Sequence, residues 1–149
     1  MLIKIDNIII KIRNSLWDDY NYCHHLARRN FQPFYERHKL DWNSKGYRRH
    51  FNPTFIKVIE CNKRRIGFYE LRIKDGSWYL EDLHLSTLFR GKGIGTKIMN
   101  LLEKSVKKRG GNAIRLSVFV DNPAINLYKR LGYYIIGSEG AFHFMEKKI

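Results

Sequence analysis

The sequence has few cysteines, few prolines and no long apolar run. Its two cysteines, Cys23 and Cys61, lack C-x-x-C spacing, so neither a zinc site nor a disulfide framework is indicated, and a single disulfide between them stays open. No uncharged stretch approaches the roughly 18 residues that a membrane-spanning helix needs. The first apolar run is interrupted by Lys4, Asp6 and Lys11, which is unlike a signal peptide. We therefore expect no membrane association and a cytoplasmic, reducing location.

Acidic residues are also scarce. Fourteen Asp and Glu stand against 28 Lys and Arg, which gives a net charge of +14 on 149 residues. Such a surface favours anionic partners, namely a phosphorylated cofactor, nucleic acid, or an acidic protein or membrane face, although basicity can also serve solubility alone. It disfavours a polycationic substrate unless a local acidic pocket overrides the global field. The length predicts one domain, residues 1–149, that buries roughly 70% of its unfolded surface.

Three glycines alternate in the segment Arg90–Thr96, which reads Arg-Gly-Lys-Gly-Ile-Gly-Thr. A strand-like run, Trp78–Leu85, precedes it, and a helix-like run with apolar residues at helical spacing starts at Ile94. Bare backbone N–H groups at a helix N-terminus bind anions, so the segment predicts a phosphate site, although such turns also occur for packing reasons. The glycine spacing fits neither a mononucleotide P-loop nor a dinucleotide fingerprint.

A second motif follows about thirty residues later, in the segment Val120–Tyr133. It combines a strand end, Asn122, a helix with the pattern Ala-x-x-x-Tyr ending at Tyr128, and Gly132-Tyr133. Together with the glycine segment, it resembles the GNAT superfamily of N-acetyltransferases. The segments around Glu81 and Tyr128 are most similar to the diamine (spermidine/spermine) acetyltransferases. The family Asn usually occupies the position of Asp121, so either Asp121 or Asn122 is the candidate cofactor contact.

The periodicity predicts the element order ββ(αα)βββαβαββ. The resemblance implies a mixed α/β fold, a twisted sheet of about six or seven strands flanked by about four helices. The predicted elements are a strand or hairpin over Ile3–Arg13, a helix from an N-cap at Ser15 to about Asn30 that Phe31-Gln32-Pro33 ends, a short helix capped by Asn43 or Ser44 that runs to His50, strands over Thr54–Cys61, Arg65–Ile73 and Ser77–Leu85, a helix over Ile94–Arg109, a strand over Ala113–Val120, a helix over Ala124–Leu131 capped by Asn122, and a final hairpin of Tyr133–Ile136 and Ala141–Glu146 around residues 137–140.

The resemblance implies that acetyl-coenzyme A is the cofactor. A bulge near Leu83-His84-Leu85 would splay this strand from its parallel neighbour, and its freed backbone groups would bind the pantetheine arm. The glycine segment would bind the pyrophosphate, and residues of the second motif would add further contacts. The implied cofactor residues are Leu83, His84, Leu85, Arg90, Gly91, Lys92, Gly93, Ile94, Gly95, Thr96, Asn122, Asn126 and Tyr128.

The implied reaction is direct transfer of an acetyl group to a primary amine in a ternary complex. Tyr128 is the candidate general acid for the leaving thiolate, because a phenol of pKa ~10 can supply its proton. Glu81 is the candidate base, with His84 as the alternative, and water or no residue at all would serve if the amine has a low pKa. In a regular strand, Asp82 would point to the opposite face from Glu81.

The acceptor is either a small polyamine or a protein or peptide amine. The resemblance places its pocket in residues 31–50, where Phe34, Tyr35, His38 and Trp42, together with Glu81, are candidate contacts, although aromatic clusters more often belong to a core. The histidines have no metal-ligand spacing. Two other hypotheses are an inactive acyl-coenzyme A-binding module and a basic nucleic-acid-binding domain, although the basic run Lys104–Arg109 is more simply a solvated helix end. A homodimer is also left open.

Overall fold

The fold is a mixed α/β arrangement with one β-sheet. The computed structural model describes every residue from Met1 to Ile149. The eight strands have the order β1-β2-β3-β4-β5-β6-β8-β7, and there are four α-helices. The strands are β1 (Leu2–Ile5), β2 (Ile8–Asn14), β3 (Ile56–Cys61), β4 (Arg64–Lys74), β5 (Ser77–Leu85), β6 (Ala113–Phe119), β7 (Tyr134–Glu139) and β8 (Phe142–Lys148), and the helices are α1 (Tyr20–Arg37), α2 (Ser44–His50), α3 (Ile94–Lys108) and α4 (Ala124–Arg130). The predicted fold class is confirmed, with a sheet larger than the resemblance implied.

The sheet contains both kinds of strand pairing. β5 and β6 are parallel, whereas β1–β2, β2–β3, β3–β4, β6–β8 and β7–β8 are antiparallel. The pairing of β5 with β6 covers only Trp78–Leu80 against Ile114–Leu116, although β5 continues to Leu85. The last residues of β5 therefore have no ladder partner in β6.

The chain forms two compact units. The first comprises Met1–Glu70 and Asp82–Gly93, and the second comprises Leu71–Glu81 and Ile94–Ile149. In the first unit, α1 contributes Cys23, Leu26 and Ala27 to a core that also contains Phe51, Ile56 and Phe68. In the second unit, α3 contacts β6 and buries one face, since Ile94, Ile98, Leu102 and Val106 recur at four-residue intervals. Each unit therefore buries apolar side chains of its own.

The prediction that the first long helix ends at Phe31-Gln32-Pro33 is wrong. α1 continues to Arg37, with Pro33 inside it. Proline lacks the N–H that would bond to the carbonyl four residues earlier, which normally ends a helix. Here the aromatic side chains of the last turns have tertiary partners: the Phe31 and Tyr35 rings each lie against Trp42, at centroid distances of 6.4 and 5.6 Å. Their packing offsets the local cost of the proline.

The predicted N-cap at Ser15 is also wrong. A 3₁₀ turn, Trp17–Asp19, precedes α1, which begins at Tyr20. The Ser15 hydroxyl donates instead to the carbonyl of Pro53. The side chain is buried and is used for a long-range contact that local sequence could not reveal.

The final hairpin turns later than predicted. Residues 137–139 belong to β7, which has a bulge between Ile135 and Gly137, and the turn lies at Gly140, with φ +56°. The ladder with β8 continues past this bulge, so residues 137–139, which were predicted as turn, pair with Phe144, His143 and Phe142.

The predicted cap of the short helix is confirmed, because Asn43 caps α2 by accepting from the Gly46 N–H. Between β4 and β5 the chain turns at Asp75 and Gly76, which both have positive φ. At the start of α4 the structural N-cap is Pro123 rather than the predicted Asn122. The Asn122 side chain accepts from the Ala124 N–H at the start of α4. None of the helices has the length and apolar character that a membrane crossing requires.

Candidate functional site

The glycine segment needs glycine for two different reasons. Gly91 and Gly93 have φ of +69° and +82°, a conformation that other residues rarely adopt. Gly95 lies in the first turn of α3, where an added Cβ would approach the Leu127 side chain to 3.3 Å. The first two glycines therefore shape the backbone before the helix, and the third allows α3 and α4 to pack closely.

The space above these glycines is open. An added Cβ at Gly91 would meet nothing within 4 Å, and one at Gly93 would meet only the Ile5 side chain at 3.9 Å. Two exposed cations, Arg90 and Lys92, flank Gly91. Backbone N–H groups before a helix N-terminus, open space and positive charge together fit a phosphate group.

The end of β5 carries its side chains on alternating faces. His84 is buried with only 5% of its surface exposed, whereas Leu83 and Leu85 are partly exposed. Because alternate residues of a strand share a face, Asp82 lies on the side of His84. Its carboxylate oxygen is 3.1 Å from His84 Nε2.

Glu81 and Asp82 have different partners. Glu81 forms an ion pair with Lys74 of β4. Asp82, by contrast, influences two tyrosines of the first unit. Burial raises the pKa of Tyr35 and of Tyr47 above the usual value, and the negative charge of Asp82 is the second cause of the increase. Neighbouring residues of one strand thus differ in environment, as alternation predicts.

An aromatic cluster lies in the first unit, formed by residues of α1, α2 and the connection between them. The centroid of Trp42 is 5.6 Å from those of Tyr35 and Tyr47, and its indole N–H donates to Ser44. Of the predicted acceptor residues, the structure thus brings Tyr35 and Trp42 together. Phe34 lies under the Arg37 guanidinium, and His38 is the C-cap of α1. The sequence did not indicate Tyr47 as a member of this cluster, because only tertiary packing brings its ring to Trp42.

The second unit carries the other motif. Tyr128 of α4 is 8% exposed, and its ring meets Tyr133 edge-on at 5.9 Å. Asn122 and Asn126 line a cavity of about 380 Å³ together with Asp121, Lys129 and His143, among others. The Asn122 amide oxygen, just before α4, accepts from the Ala124 N–H, and the Asn126 N–H donates to the Pro123 carbonyl. These polar groups lie on the wall of one concave surface.

Both cysteines are free, and no cluster of His, Cys, Asp and Glu side chains is arranged to hold a metal ion. Cys23 is fully buried, and burial raises the pKa of its thiol to about 12. The thiolate, which is the nucleophilic form, is therefore strongly disfavoured at neutral pH.

Comparison with known proteins decides the family, because the model of the Acetyltransferase (GNAT) family matches residues 9–133. The chain belongs to this family. A protein of Methanocaldococcus jannaschii named an uncharacterized N-acetyltransferase is 31% identical over 129 residues, 78% of this GNAT chain and 55% of that protein. Thialysine N-epsilon-acetyltransferase of Mus musculus is 44% identical over 55 residues, 36% of this chain and 32% of that protein. The chain thus spans about half or less of the length of these curated relatives.

Solved structures share the GNAT fold. The PaiA N-acetyltransferase of Thermoplasma acidophilum, in complex with coenzyme A, superposes with a TM-score of 0.76 at 22% identity and covers 94% of this chain and 99% of its own. The ribosomal-protein-S18-alanine N-acetyltransferase of Escherichia coli has a TM-score of 0.72 at 18% identity, with 94% of both chains covered. At these identities, the likeness establishes the fold.

Proposed function

We propose that the chain is an acetyl-coenzyme A-dependent N-acetyltransferase that acetylates a primary amine by direct attack in a ternary complex. The observation that carries the proposal is the backbone of Arg90–Gly95 in a chain of the GNAT family: two glycines with positive φ, open space above them and a helix that starts at Ile94. The family match runs from residue 9 to 133, which supports a single acetyltransferase domain.

The residues present fit the cofactor. The N–H groups of residues 91–96 and the charges of Arg90 and Lys92 would hold its pyrophosphate, and the backbone of Leu83–Leu85, which has no ladder partner in β6, would meet its pantetheine arm. Within the second unit, taken by itself, the proposed cofactor contacts are Asn126 and either Asp121 or Asn122. The cofactor supplies an acetyl group activated as a thioester.

The chain must also handle two protons. An alkylamine of pKa ~10.4 is almost wholly protonated at pH 7, so a base has to accept a proton before attack. Glu81 is the proposed base, and Tyr128 is the proposed acid that protonates the leaving sulfur. The raised pKa of the Cys23 thiol supports direct transfer rather than an acetyl-cysteine route.

The proposed acceptor is a small alkylamine. Asp82 provides the local negative charge that a cationic amine needs on this basic chain, and it acts on the same aromatic cluster that contains Tyr35 and Tyr47. Aromatic faces beside a carboxylate favour an alkylammonium group. The name of the mouse relative, a thialysine acetyltransferase, supports the same class.

Calorimetric titration with acetyl-coenzyme A, followed by a thiol-release assay, tests this proposal. The acceptor pools are polyamines, amino acids with side-chain amines, and short peptides with free N-termini. Thiol release only with peptides would contradict the small-amine acceptor and indicate a peptide amine instead. The Escherichia coli neighbour is named as an acetyltransferase of a ribosomal protein. Binding without release would favour an inactive module. Absence of cofactor binding would overturn the proposal, and salt-dependent binding of a random DNA duplex would then favour the nucleic-acid hypothesis.

A further inference from the structure

Four side chains of the first unit form a continuous hydrogen-bonded chain from the glycine segment to Asp82. Arg90 Nη2 donates to Asn30 Oδ1 at 2.6 Å, Asn30 Nδ2 lies 3.2 Å from His84 Nδ1, and His84 Nε2 lies 3.1 Å from the Asp82 carboxylate. Asn30 belongs to α1, whereas the other residues lie on β5 or in the segment after it. Residues far apart in sequence thus connect two parts of the proposed site.

The partners at each end determine the direction of every hydrogen bond. Arginine can only donate, so the Asn30 atom that faces Arg90 must be the oxygen. The Asn30 nitrogen then faces two acceptors, the Leu85 carbonyl at 3.4 Å and His84 Nδ1. Nδ1 therefore accepts, which leaves the imidazole proton on Nε2, where it donates to Asp82. All donors point from Arg90 toward the carboxylate.

The His84 ring is held firmly. It meets Phe31 edge-on at 4.7 Å and lies 5.2 Å from Phe68. β4 approaches β5 so closely here that a Cβ at Gly67 would collide with the His84 carbonyl oxygen. Packing alone would suit a phenylalanine at this position. The two ring nitrogens are satisfied by side chains of opposite hydrogen-bonding character, which packing does not explain.

We propose that His84 and Asn30 are positioning residues, which orient the Asp82 carboxylate for the acceptor amine and tie it to the arginine of the cofactor segment. This inference rests on the proposed function. His84 donates one hydrogen bond to Asp82, which leaves the other carboxylate oxygen for the amine. Asn30 connects the same imidazole to Arg90, so that the amine-binding and phosphate-binding groups share one rigid network.

The first experiment compares His84→Phe with His84→Gln. Phenylalanine keeps the aromatic packing but cannot donate to Asp82, whereas the glutamine amide can donate from nearly the position of Nε2. We expect His84→Phe to raise the KM of the amine and lower kcat/KM about tenfold, the size of one hydrogen bond to a charged group, while the cofactor Kd stays nearly unchanged. His84→Gln should recover most of the loss. Asn21→Ala, an exposed change on the same helix as Asn30 and outside residues 31–50, is the control. Wild-type kcat/KM in His84→Phe would overturn the positioning role, as would an equal loss in both variants.

A second measurement is independent of activity. Long-range ¹H–¹⁵N spectra of the imidazoles report which nitrogen carries the proton. We expect the Nε2–H tautomer for His84, and Asn30→Leu should perturb its Nδ1 resonance. Finding the Nδ1–H tautomer would overturn the hydrogen-bonded chain even if the enzyme is active. If the wild-type protein neither binds the cofactor nor releases thiol, the proposed function fails. The tautomer of His84 still decides whether the hydrogen-bonded chain from Arg90 to Asp82 exists.

Discussion

At the scale of single residues, Tyr128 is the clearest candidate for a chemical role. It is almost fully buried on α4, where its ring packs against Tyr133. Tyr128→Phe keeps this packing and removes only the hydroxyl. We expect turnover to fall ~10²-fold, the size of one general acid, with cofactor affinity nearly intact in calorimetry. Tyr134→Phe, which removes the hydroxyl through which an exposed tyrosine donates to Glu146, should leave turnover unchanged. Unchanged turnover in Tyr128→Phe would exclude the role of acid.

The two neighbouring carboxylates are distinguished by their partners. Glu81 is paired with Lys74 and is the proposed base, whereas Asp82 is held by His84 and is proposed to bind the amine. We expect Glu81→Gln to lower kcat by ~10²-fold and Asp82→Asn mainly to raise the amine KM. Steady-state kinetics at varied amine concentration separate the effects. The reverse pattern would exchange the two roles.

At the scale of elements, α1 contains a proline that its packing tolerates. Pro33 is exposed and removes the hydrogen bond to the Arg29 carbonyl. Pro33→Ala restores the donor, so we expect the free energy of unfolding to rise by about 1 kcal/mol and Tm by roughly 3 °C. Thermal and urea unfolding measure both values, with Gln32→Ala as the neighbouring control. A lower Tm would mean that the proline constrains the helix usefully.

The glycine segment is the second element with a defined requirement. Gly93→Val places a β-branched side chain at φ +82° and fills the space proposed for the pyrophosphate, so cofactor binding should be lost. Gly76→Val imposes the same strain at φ +78° in the β4–β5 turn, where the space is open. It should lower stability while the cofactor still binds in calorimetry. Retained binding in Gly93→Val would remove the segment from the cofactor site.

At the scale of the whole molecule, a carboxylate network limits stability in acid. The Asp19 carboxylate accepts hydrogen bonds from Arg13, the Leu16 N–H and Arg65. These contacts lower the pKa of Asp19 to about 2, and the hydrogen bond from Arg13 has the largest effect. Burial acts in the opposite direction but is outweighed. Because the folded pKa is the lower one, the stabilisation is complete above about pH 4 and is lost as pH falls toward 2. Asp19→Asn should therefore flatten the pH dependence of Tm in this window. An unchanged acid limb would contradict this.

The family, the strand and helix types and the glycine turn before α3 could all be predicted from the sequence alone. These features depend on local rules: glycine at positive φ, four-residue apolar spacing in α3, strand alternation and the Asn43 cap, all of which act between residues close in the chain. The length of α1, the partner of Ser15 and the hydrogen-bonded chain from Arg90 through Asn30 and His84 to Asp82 became evident only from the tertiary structure. Those outcomes depend on contacts between residues that are distant in sequence, where packing and side-chain hydrogen bonds outweigh local preference, and no local pattern specifies which residues will meet.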